Sequence, residues 1–258
     1  MTLLVGVLCS EGVVIGADSA ATMGSLGQMT VRQPTVKVEI VRGQALIATS
    51  GPVGLGQRLA GEFGDLLAQG KIPPKTKPYK AMTTLRQSFL THIAVELEAA
   101  KVAIPVVGVQ AAQASAISAT LLAMSLDGRP RMFQFDHQGA PEEATDRLPW
   151  VCLGSGQMIA DPFMAFLRGI FWEDGELPTI AEGTFAVVWT LEQAIDVSPA
   201  YLAPPIRVFT LTQEGQAVAA IQLDETELQE HKQAVATARQ LLKDWRRVDR
   251  EVEPPPTS

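Results

Sequence analysis

The residue best suited to chemistry is a threonine, Thr2, directly after the initiator methionine. Methionine is generally removed before a residue this small, and its removal leaves a threonine that carries both a hydroxyl and a free α-amine. The amine can then accept the proton of the hydroxyl, directly or through water, so that the threonine attacks as a nucleophile without a histidine. Thr2 alone is weak evidence, because many proteins begin with Met-Thr for no chemical reason.

Two charged residues interrupt apolar segments further along the chain. Asp18 ends the apolar run VVIGA, and Lys37 lies among apolar neighbours in TVKVEIV. An unpaired buried carboxylate is costly, so Asp18 either caps its strand or pairs with a cation. Lys37 either faces solvent or is that cation. As a pair close to Thr2, the two residues would favour loss of a proton from the threonine.

Gly51 follows an apolar strand at a turn into a helix, where its backbone N–H can point at a developing oxyanion. A plain turn glycine would have the same sequence. The surrounding SGPVGLGQR lacks the Walker lysine and the GxGxxG spacing, so nucleotide binding is not indicated. The three histidines are not arranged with acidic partners as a triad or a zinc site, so neither mechanism is supported and no metal or cofactor is predicted; they are His92, His137 and His231.

The apolar patterns predict strands, two helices, strands, two helices, strands and a final long helix. Strands are predicted at 3–8, 13–17, 36–41, 44–49, 116–126, 131–135, 150–153, 206–212 and 217–223, and a loop at 20–30. Helices are predicted at 55–69, 79–102, 157–171, 180–195 and 225–251. This order is typical of an α+β fold with two sheets sandwiched between helix pairs.

The composition limits the protein's partners and location. A chain of 258 residues that is 47% hydrophobic can bury a full core, and a net charge of -7 argues against nucleic acid and anionic membranes. Cys9 and Cys152 lie in apolar strands and are expected to be free thiols, which fits a cytoplasmic location. We expect one domain over 1–223, a helix over 224–252 that packs on it or on a neighbouring subunit, and a disordered tail over 253–258.

The sequence resembles that of a proteasome β-type subunit over most of its length. TLLVGVLCSEGVVIGADSAATMGSL is similar to that family's N-terminal threonine, hairpin and Asp-x-x-x-Thr loop in order and spacing. The resemblance implies the four-layer αββα sandwich of N-terminal-nucleophile (Ntn) hydrolases, with two antiparallel sheets between helix layers. The C-terminal helix and the APPIRVF segment are more similar to two bacterial relatives, the ancestral β-subunit (Anbu) and the betaproteobacterial proteasome homologue, of which the second is slightly favoured.

The resemblance implies a catalytic role for several residues. Thr2 would be the nucleophile and its amine the proton acceptor, with Lys37 beside it and Asp18 as the partner of that lysine. Gly51, fourteen residues beyond the lysine, falls where the family's oxyanion-hole glycine lies. Ser155, in CLGSGQMIAD, would lie near the threonine amine.

The resemblance also implies a late aspartate and a substrate cleft. Asp196, in EQAIDVSP, would belong to the same network as the threonine. Ala21 and Thr22 would contact the backbone of a bound peptide, and Thr49 and Val53 would line the primary specificity pocket. Because none of these four is charged, a neutral substrate side chain is expected there.

By the same resemblance, the chain is a threonine-type endopeptidase that hydrolyses unfolded protein or peptides through a threonyl ester. It would work inside a self-compartmentalising homo-oligomeric ring or spiral of about 12 to 14 subunits. An ATPase partner is possible, and nothing in the sequence identifies one.

Three departures from the proteasome pattern keep two other functions open. Ala20 stands where arginine is common, three extra residues precede Lys37, and Ser198-Pro199-Ala200 replaces the usual Ser-Gly-Gly. One alternative is a catalytically weak scaffold that keeps the ring contacts. The other is an Ntn amidase or transpeptidase that acts on one specific small amide.

Overall fold

A computed structural model describes residues 2–25, 28–173 and 175–248, with the side chains of 22–32, 115 and 246–248 left out of the description. The strands are β1 (Leu4–Leu8), β2 (Gly12–Ala17), β3 (Ala20–Ser25), β4 (Gln28–Pro34), β5 (Val38–Val41), β6 (Ala45–Ser50), β7 (Ala119–Leu126), β8 (Arg129–Phe135), β9 (Pro141–Glu143), β10 (Trp150–Leu153), β11 (Arg207–Glu214) and β12 (Ala217–Gln222). The helices are α1 (Val53–Ala68), α2 (Pro78–Val107), α3 (Val109–Ala116), α4 (Gln157–Phe171), α5 (Ile180–Val197) and α6 (Glu225–Val248).

Two five-stranded antiparallel sheets form the centre of the molecule. The first has the order β10-β1-β2-β11-β12, and the second has the order β5-β6-β7-β8-β9. Every residue of β1 and β2 is buried, because this part of the first sheet is covered on both faces. That covering explains why both strands are almost continuously apolar rather than alternating.

Helices cover the outer face of each sheet, and a third apolar cluster lies between the sheets. Side chains of α1 and α2 pack on the second sheet, and those of α4 and α5 pack on the first. The inner cluster joins residues of both sheets, among them Ile15 and Phe209 from the first and Leu46 and Leu121 from the second. The predicted four-layer αββα sandwich is therefore confirmed.

Three local predictions need correction. The loop expected at 20–30 is largely a hairpin of β3 and β4, which pair in antiparallel register from Ala20 opposite Pro34 to Ser25 opposite Gln28. Helix α2 runs past its expected end at residue 102 and contains Pro105 in its last turn. It is followed by α3, a short alanine-rich helix that packs its small side chains on α2 and that the sequence pattern did not indicate.

The last helix, α6, packs on α5 through Leu228 and Val235, which are buried in the outer cluster of the first sheet. Arg239 of α6 also forms ion pairs with two carboxylates of α5. The expected end of this helix at residue 251 and the predicted tail at 253–258 lie outside the described residues. Among the helices that are described, none combines the length and the apolar character needed to cross a membrane.

Candidate active site

Thr2 lies two residues before the start of β1, and only 9% of its surface is exposed. In the full chain its nitrogen is the amide that joins it to Met1, and this N–H donates to Ser155 Oγ over 3.2 Å. The Thr2 carbonyl accepts from the amide of Gly156 at 3.3 Å and from Ser155 Oγ at 3.4 Å. The residue is thus held on both sides of its Cα by one turn.

That turn, residues 154–156, joins β10 to α4 and needs glycine at both ends. Gly154 has φ +98°, and a Cβ there would lie 2.2 Å from the Thr2 carbonyl oxygen. A Cβ on Gly156 would lie 2.9 Å from Leu3 Cβ. Any side chain at these positions would push the turn away from Thr2, so the two glycines bring Ser155 within hydrogen-bonding distance.

Asp18 and Lys37 form a buried ion pair beside Thr2. Lys37 Nζ lies 2.6 Å from Asp18 Oδ1, and the two side chains are 5% and 0% exposed. The same oxygen accepts from the amide of Leu3 at 2.8 Å, and Oδ2 accepts from the amides of Ala20 at 2.9 Å and Ala203 at 3.4 Å. Four donors therefore surround the two oxygens of this buried carboxylate, as a buried charged group requires.

Chain connections explain how these two residues meet. Asp18 directly follows β2, and Lys37 directly precedes β5, so the pair joins one sheet to the other at the same end of the sandwich. The Lys37 carbonyl also accepts from the amide of Thr49 on β6. The Lys37 ammonium is linked to the residue after Thr2, because it and the Leu3 amide donate to the same Asp18 oxygen.

Gly51 follows β6 and lies just before α1. Its φ is +126°, and a Cβ would approach the Ile117 carbonyl oxygen to 2.3 Å, so only glycine fits this turn. Pro52 is the N-cap of α1 and makes no side-chain cap, and the first turn of α1 carries no acidic residue. The first turn of α4 likewise carries none. The positive ends of two helix dipoles therefore adjoin the Gly51 and Ser155 turns.

The predicted substrate residues lie on three elements, β3, β6 and α1. Ala21 is buried in β3, Thr49 is half-buried near the end of β6, and Val53 is 48% exposed at the first position of α1. Thr49 Oγ1 would touch a Cβ placed on Gly56, so the side chain lies against the first turns of α1. The side chain of Thr22 lies outside the described part of the chain.

Asp196 is not brought to this cluster. It lies in the last turn of α5, its side chain is 62% exposed, and its carboxylate Oδ2 pairs with Arg239 of α6 at 3.4 Å. The buried stripe of α5 ends at Ala194, so the helix phase turns Asp196 towards α6 instead of the sheet.

The segment after α5 does reach the cluster, but through its backbone. The amide of Ala203 donates to Asp18, and the carbonyls of Ala203 and Pro205 accept from the amide and the hydroxyl of Ser19. Sequence reasoning missed Ser19 and Ala203, because a backbone donor leaves no residue-type signal. The only available hint was the small Ser19 beside a buried acid.

The arrangement offers a hydroxyl with a buried ammonium nearby, a rigid glycine turn at a helix N-terminus and a serine hydroxyl at the threonine nitrogen. These are the parts that nucleophilic acyl transfer needs: a nucleophile, a positive field around it and donors for an oxyanion. Over the described part of the chain, no group of three or more histidine, cysteine, aspartate or glutamate side chains is placed to hold a metal ion.

The two cysteines are buried thiols. Burial raises the pKa of the Cys152 thiol well above its ordinary value, and the nearby Asp161 carboxylate raises it further. Burial, followed by the charges of Glu11 and Glu182, likewise raises the pKa of Cys9. Both side chains are free thiols and neither is a candidate nucleophile at neutral pH.

Comparison with known sequences finds no matching family model and no matching curated protein. Comparison with solved structures finds Anbu, the ancestral β-subunit, from Yersinia bercovieri at a TM-score of 0.63 and 14% identity, covering 99% of this chain and all of the other. A Gly-1 mutant of Anbu from Hyphomicrobium sp. strain MC1 has a TM-score of 0.61 and 16% identity, and the match covers all of both chains. Another Anbu structure from that strain has a TM-score of 0.61 and 15% identity, and the match covers 99% of this chain and all of the other.

These neighbours bear out the Anbu alternative among the bacterial relatives that the sequence resembles, and the identities of 14–16% restrict the likeness to the fold. Because the match runs through the whole length of both chains, it includes every element that surrounds Thr2. The chain has the fold of the Anbu proteins, the proteasome-like Ntn-hydrolase sandwich.

Proposed function

We propose that this protein is a threonine peptidase of the bacterial proteasome-like type, with Thr2 as the nucleophile after removal of Met1. The observation that carries the proposal is the buried Lys37–Asp18 pair, which shares one carboxylate oxygen with the amide next to Thr2. An ammonium buried at this point is costly to keep for stability alone, and it has an evident use beside a hydroxyl that must lose a proton.

In the proposed reaction the α-amine of Thr2 takes the proton of the Thr2 hydroxyl while Oγ attacks the peptide carbonyl. The Gly51 N–H stabilises the oxyanion, supported by the N-terminus of α1. The intermediate then collapses: the amine returns its proton to the leaving nitrogen, and a threonyl ester remains. Water, deprotonated by the same amine, hydrolyses the ester and restores the hydroxyl. Ser155 keeps the amine in place through the contact that its Oγ makes with the Thr2 nitrogen.

The substrates we propose are unfolded proteins and peptides, and the working form is a homo-oligomeric ring or spiral. Support comes from the Anbu fold, whose name describes it as an ancestral β-subunit, and from the burial of Thr2, which is only 9% exposed. Ala21, Thr49 and Val53 would contact the bound peptide, and a neutral side chain would fill the pocket beside Thr49 and Val53.

The experiment is hydrolysis of a fluorogenic peptide library by the purified protein and by Thr2→Ala. We expect cleavage of many unrelated peptides by the wild-type protein and none by Thr2→Ala, with both proteins eluting at the same size. Equal turnover by Thr2→Ala would refute the proposal. Cleavage of a single small amide would favour a specific amidase instead.

A catalytically weak scaffold is the second candidate, and one observation favours it. Asp196, the late aspartate that the resemblance places in the network, pairs with Arg239 on the outside of the molecule. A folded, assembled protein that retains Met1 and cleaves nothing in the library would support this alternative.

A further inference from the structure

The residues that follow α5 contact both loops of the candidate site. We define residues 202–205 as the strap. Its first anchor is Ser19: the Ser19 amide donates to the Ala203 carbonyl over 2.9 Å, and the Ser19 hydroxyl donates to the Pro205 carbonyl. The Ala203 amide in turn donates to Asp18 Oδ2. Ser19 is only 1% exposed, whereas Ala203 is half-buried and Pro205 is exposed.

The second anchor of the strap is the 154–156 turn. Leu202 is 1% exposed, and its Cδ1 would lie 3.0 Å from a Cβ on Gly156. Gly156 donates its amide to the Thr2 carbonyl, and Ser155 contacts the Thr2 nitrogen. Over four residues, therefore, the strap contacts the loop that holds the carboxylate and the turn that holds the threonine.

We infer that the strap sets the distance between these two loops, and that Ser19 is a positioning residue for Asp18 and Thr2. The catalytic consequence of this inference rests on the proposed function, whereas the structural role of the strap does not depend on any activity. Two of the strap's described hydrogen bonds to the 18–19 loop involve a side chain of that loop: the Asp18 carboxylate in one and the Ser19 hydroxyl in the other. Removing the Ser19 hydroxyl tests the strap without altering Asp18 itself. Without this hydroxyl, the Ala203 backbone is less firmly placed against Asp18, and the Asp18 carboxylate is freer to move from the Leu3 and Ala20 amides.

The test compares Ser19→Ala with Ser125→Ala as a matched control. Ser125 also donates a hydroxyl hydrogen bond, to Gln213 Oε1 at 2.6 Å. It lies near the end of β7, whereas Gly51 adjoins Ser118 at the start of that strand. Both variants lose one oxygen and one hydroxyl bond, so they are expected to lower thermal stability to a similar degree.

The first readout is amide hydrogen exchange by mass spectrometry, which needs no catalytic activity. We expect the Leu3 and Ala20 amides to exchange about 10-fold faster in Ser19→Ala than in the wild-type protein, because each donates to Asp18. In Ser125→Ala these two amides should exchange at the wild-type rate. Unchanged exchange at Leu3 and Ala20 in Ser19→Ala, or an equal increase in both variants, would overturn the inference.

The second readout is peptide hydrolysis per active site, with sites counted by covalent titration. We expect kcat of Ser19→Ala to fall about 10-fold with KM within twofold, because misplacement of Asp18 affects the reacting atoms rather than the peptide cleft. Ser125→Ala should keep the wild-type kcat per site. An inactive wild-type protein that shows the predicted exchange would refute the proposed function and leave the strap confirmed, whereas an active Ser19→Ala with wild-type kcat would refute the catalytic role of the strap.

Discussion

Replacing Asp18 by asparagine should destabilise the protein more than removing the lysine with which it pairs. Each carboxylate oxygen accepts from two donors: Oδ1 from Leu3 and Lys37, and Oδ2 from Ala20 and Ala203. An asparagine has one oxygen and one NH₂ group, so whichever way it lies, two donors face another donor. Substitution of Lys37 by methionine removes only one of the four donors and keeps a similar apolar stem.

The magnitudes follow from this count. Removing one partner of a buried ion pair costs about 3–5 kcal/mol, because the other charge is left uncompensated, so Lys37→Met should lower the free energy of unfolding by about 3 kcal/mol. Asp18→Asn breaks the same pair and also leaves two buried donors without an acceptor, at about 1–3 kcal/mol each, so it should cost about 6 kcal/mol. For a chain of this size these values correspond to shifts in Tm of about 6–12 °C and about 12–24 °C.

The assay is denaturant unfolding at a fixed protein concentration, because self-association would make stability depend on concentration. Lys77→Met serves as the control, since Lys77 pairs with Asp127 at 2.7 Å but is 60% exposed and should contribute less than about 1 kcal/mol. The reasoning would be refuted if Lys37→Met lowered the free energy of unfolding as much as Asp18→Asn does. It would also be refuted if Lys77→Met lowered it as much as Lys37→Met does.

Further predictions concern the oxyanion turn, the serine, the thiols and the α5–α6 contact. Gly51→Ala should reduce kcat about 100-fold, because its Cβ would displace the turn from the Ile117 carbonyl; wild-type kcat per titrated site would contradict this. Ser155→Ala should be milder, about 10-fold in kcat with an unchanged Tm within about 2 °C, and complete loss of activity would contradict a supporting role. Neither Cys9 nor Cys152 should react with a thiol reagent at pH 8 before unfolding, since burial raises both pKa values; rapid labelling of the native protein would be the contrary result. Burial also raises the pKa of Glu192 above its ordinary value of 4.5, so the folded state holds the carboxyl proton more tightly than the unfolded state. The protein should therefore lose stability as the pH rises from the ordinary pKa of the carboxyl group to its raised pKa in the folded state. Glu192→Gln should not show this loss. A free energy of unfolding that changes equally with pH in both proteins between pH 4 and pH 7 would contradict the prediction.

The elements with strong apolar periods could be predicted from the sequence. The strand at 150–153 and the helix at 157–171 have the expected bounds, because a continuous apolar run and a helical stripe meet at a Gly-Ser-Gly turn. The hairpin of β3 and β4 was missed because the glycine, serine and threonine residues of 20–30 indicated a loop, although Met29 and Val31 alternate with polar residues as in a strand. Helix α3 was missed because alanines that pack on α2 carry little periodic signal.

The site divides in the same way. Residue types among apolar neighbours indicated Asp18 and Lys37 as a candidate pair, whereas their place beside Thr2 and that of Ser155 followed from the resemblance to proteasome β-type subunits. Asp196 was placed by motif spacing, which does not report the phase of a helix, and its carboxylate faces α6. The structure instead supplies a backbone donor from Ala203, and no residue type marks such a donor in a sequence.

The central claim is that Thr2 is an N-terminal nucleophile, and one measurement tests it most directly: the intact mass of the purified protein before and after treatment with a peptidyl epoxyketone. This reagent forms a stable ring only with a nucleophile that carries an adjacent free amine. The account predicts loss of the mass of Met1 and one adduct for each chain, with no adduct on Thr2→Ala. A retained methionine and an unmodified mass would contradict the claim.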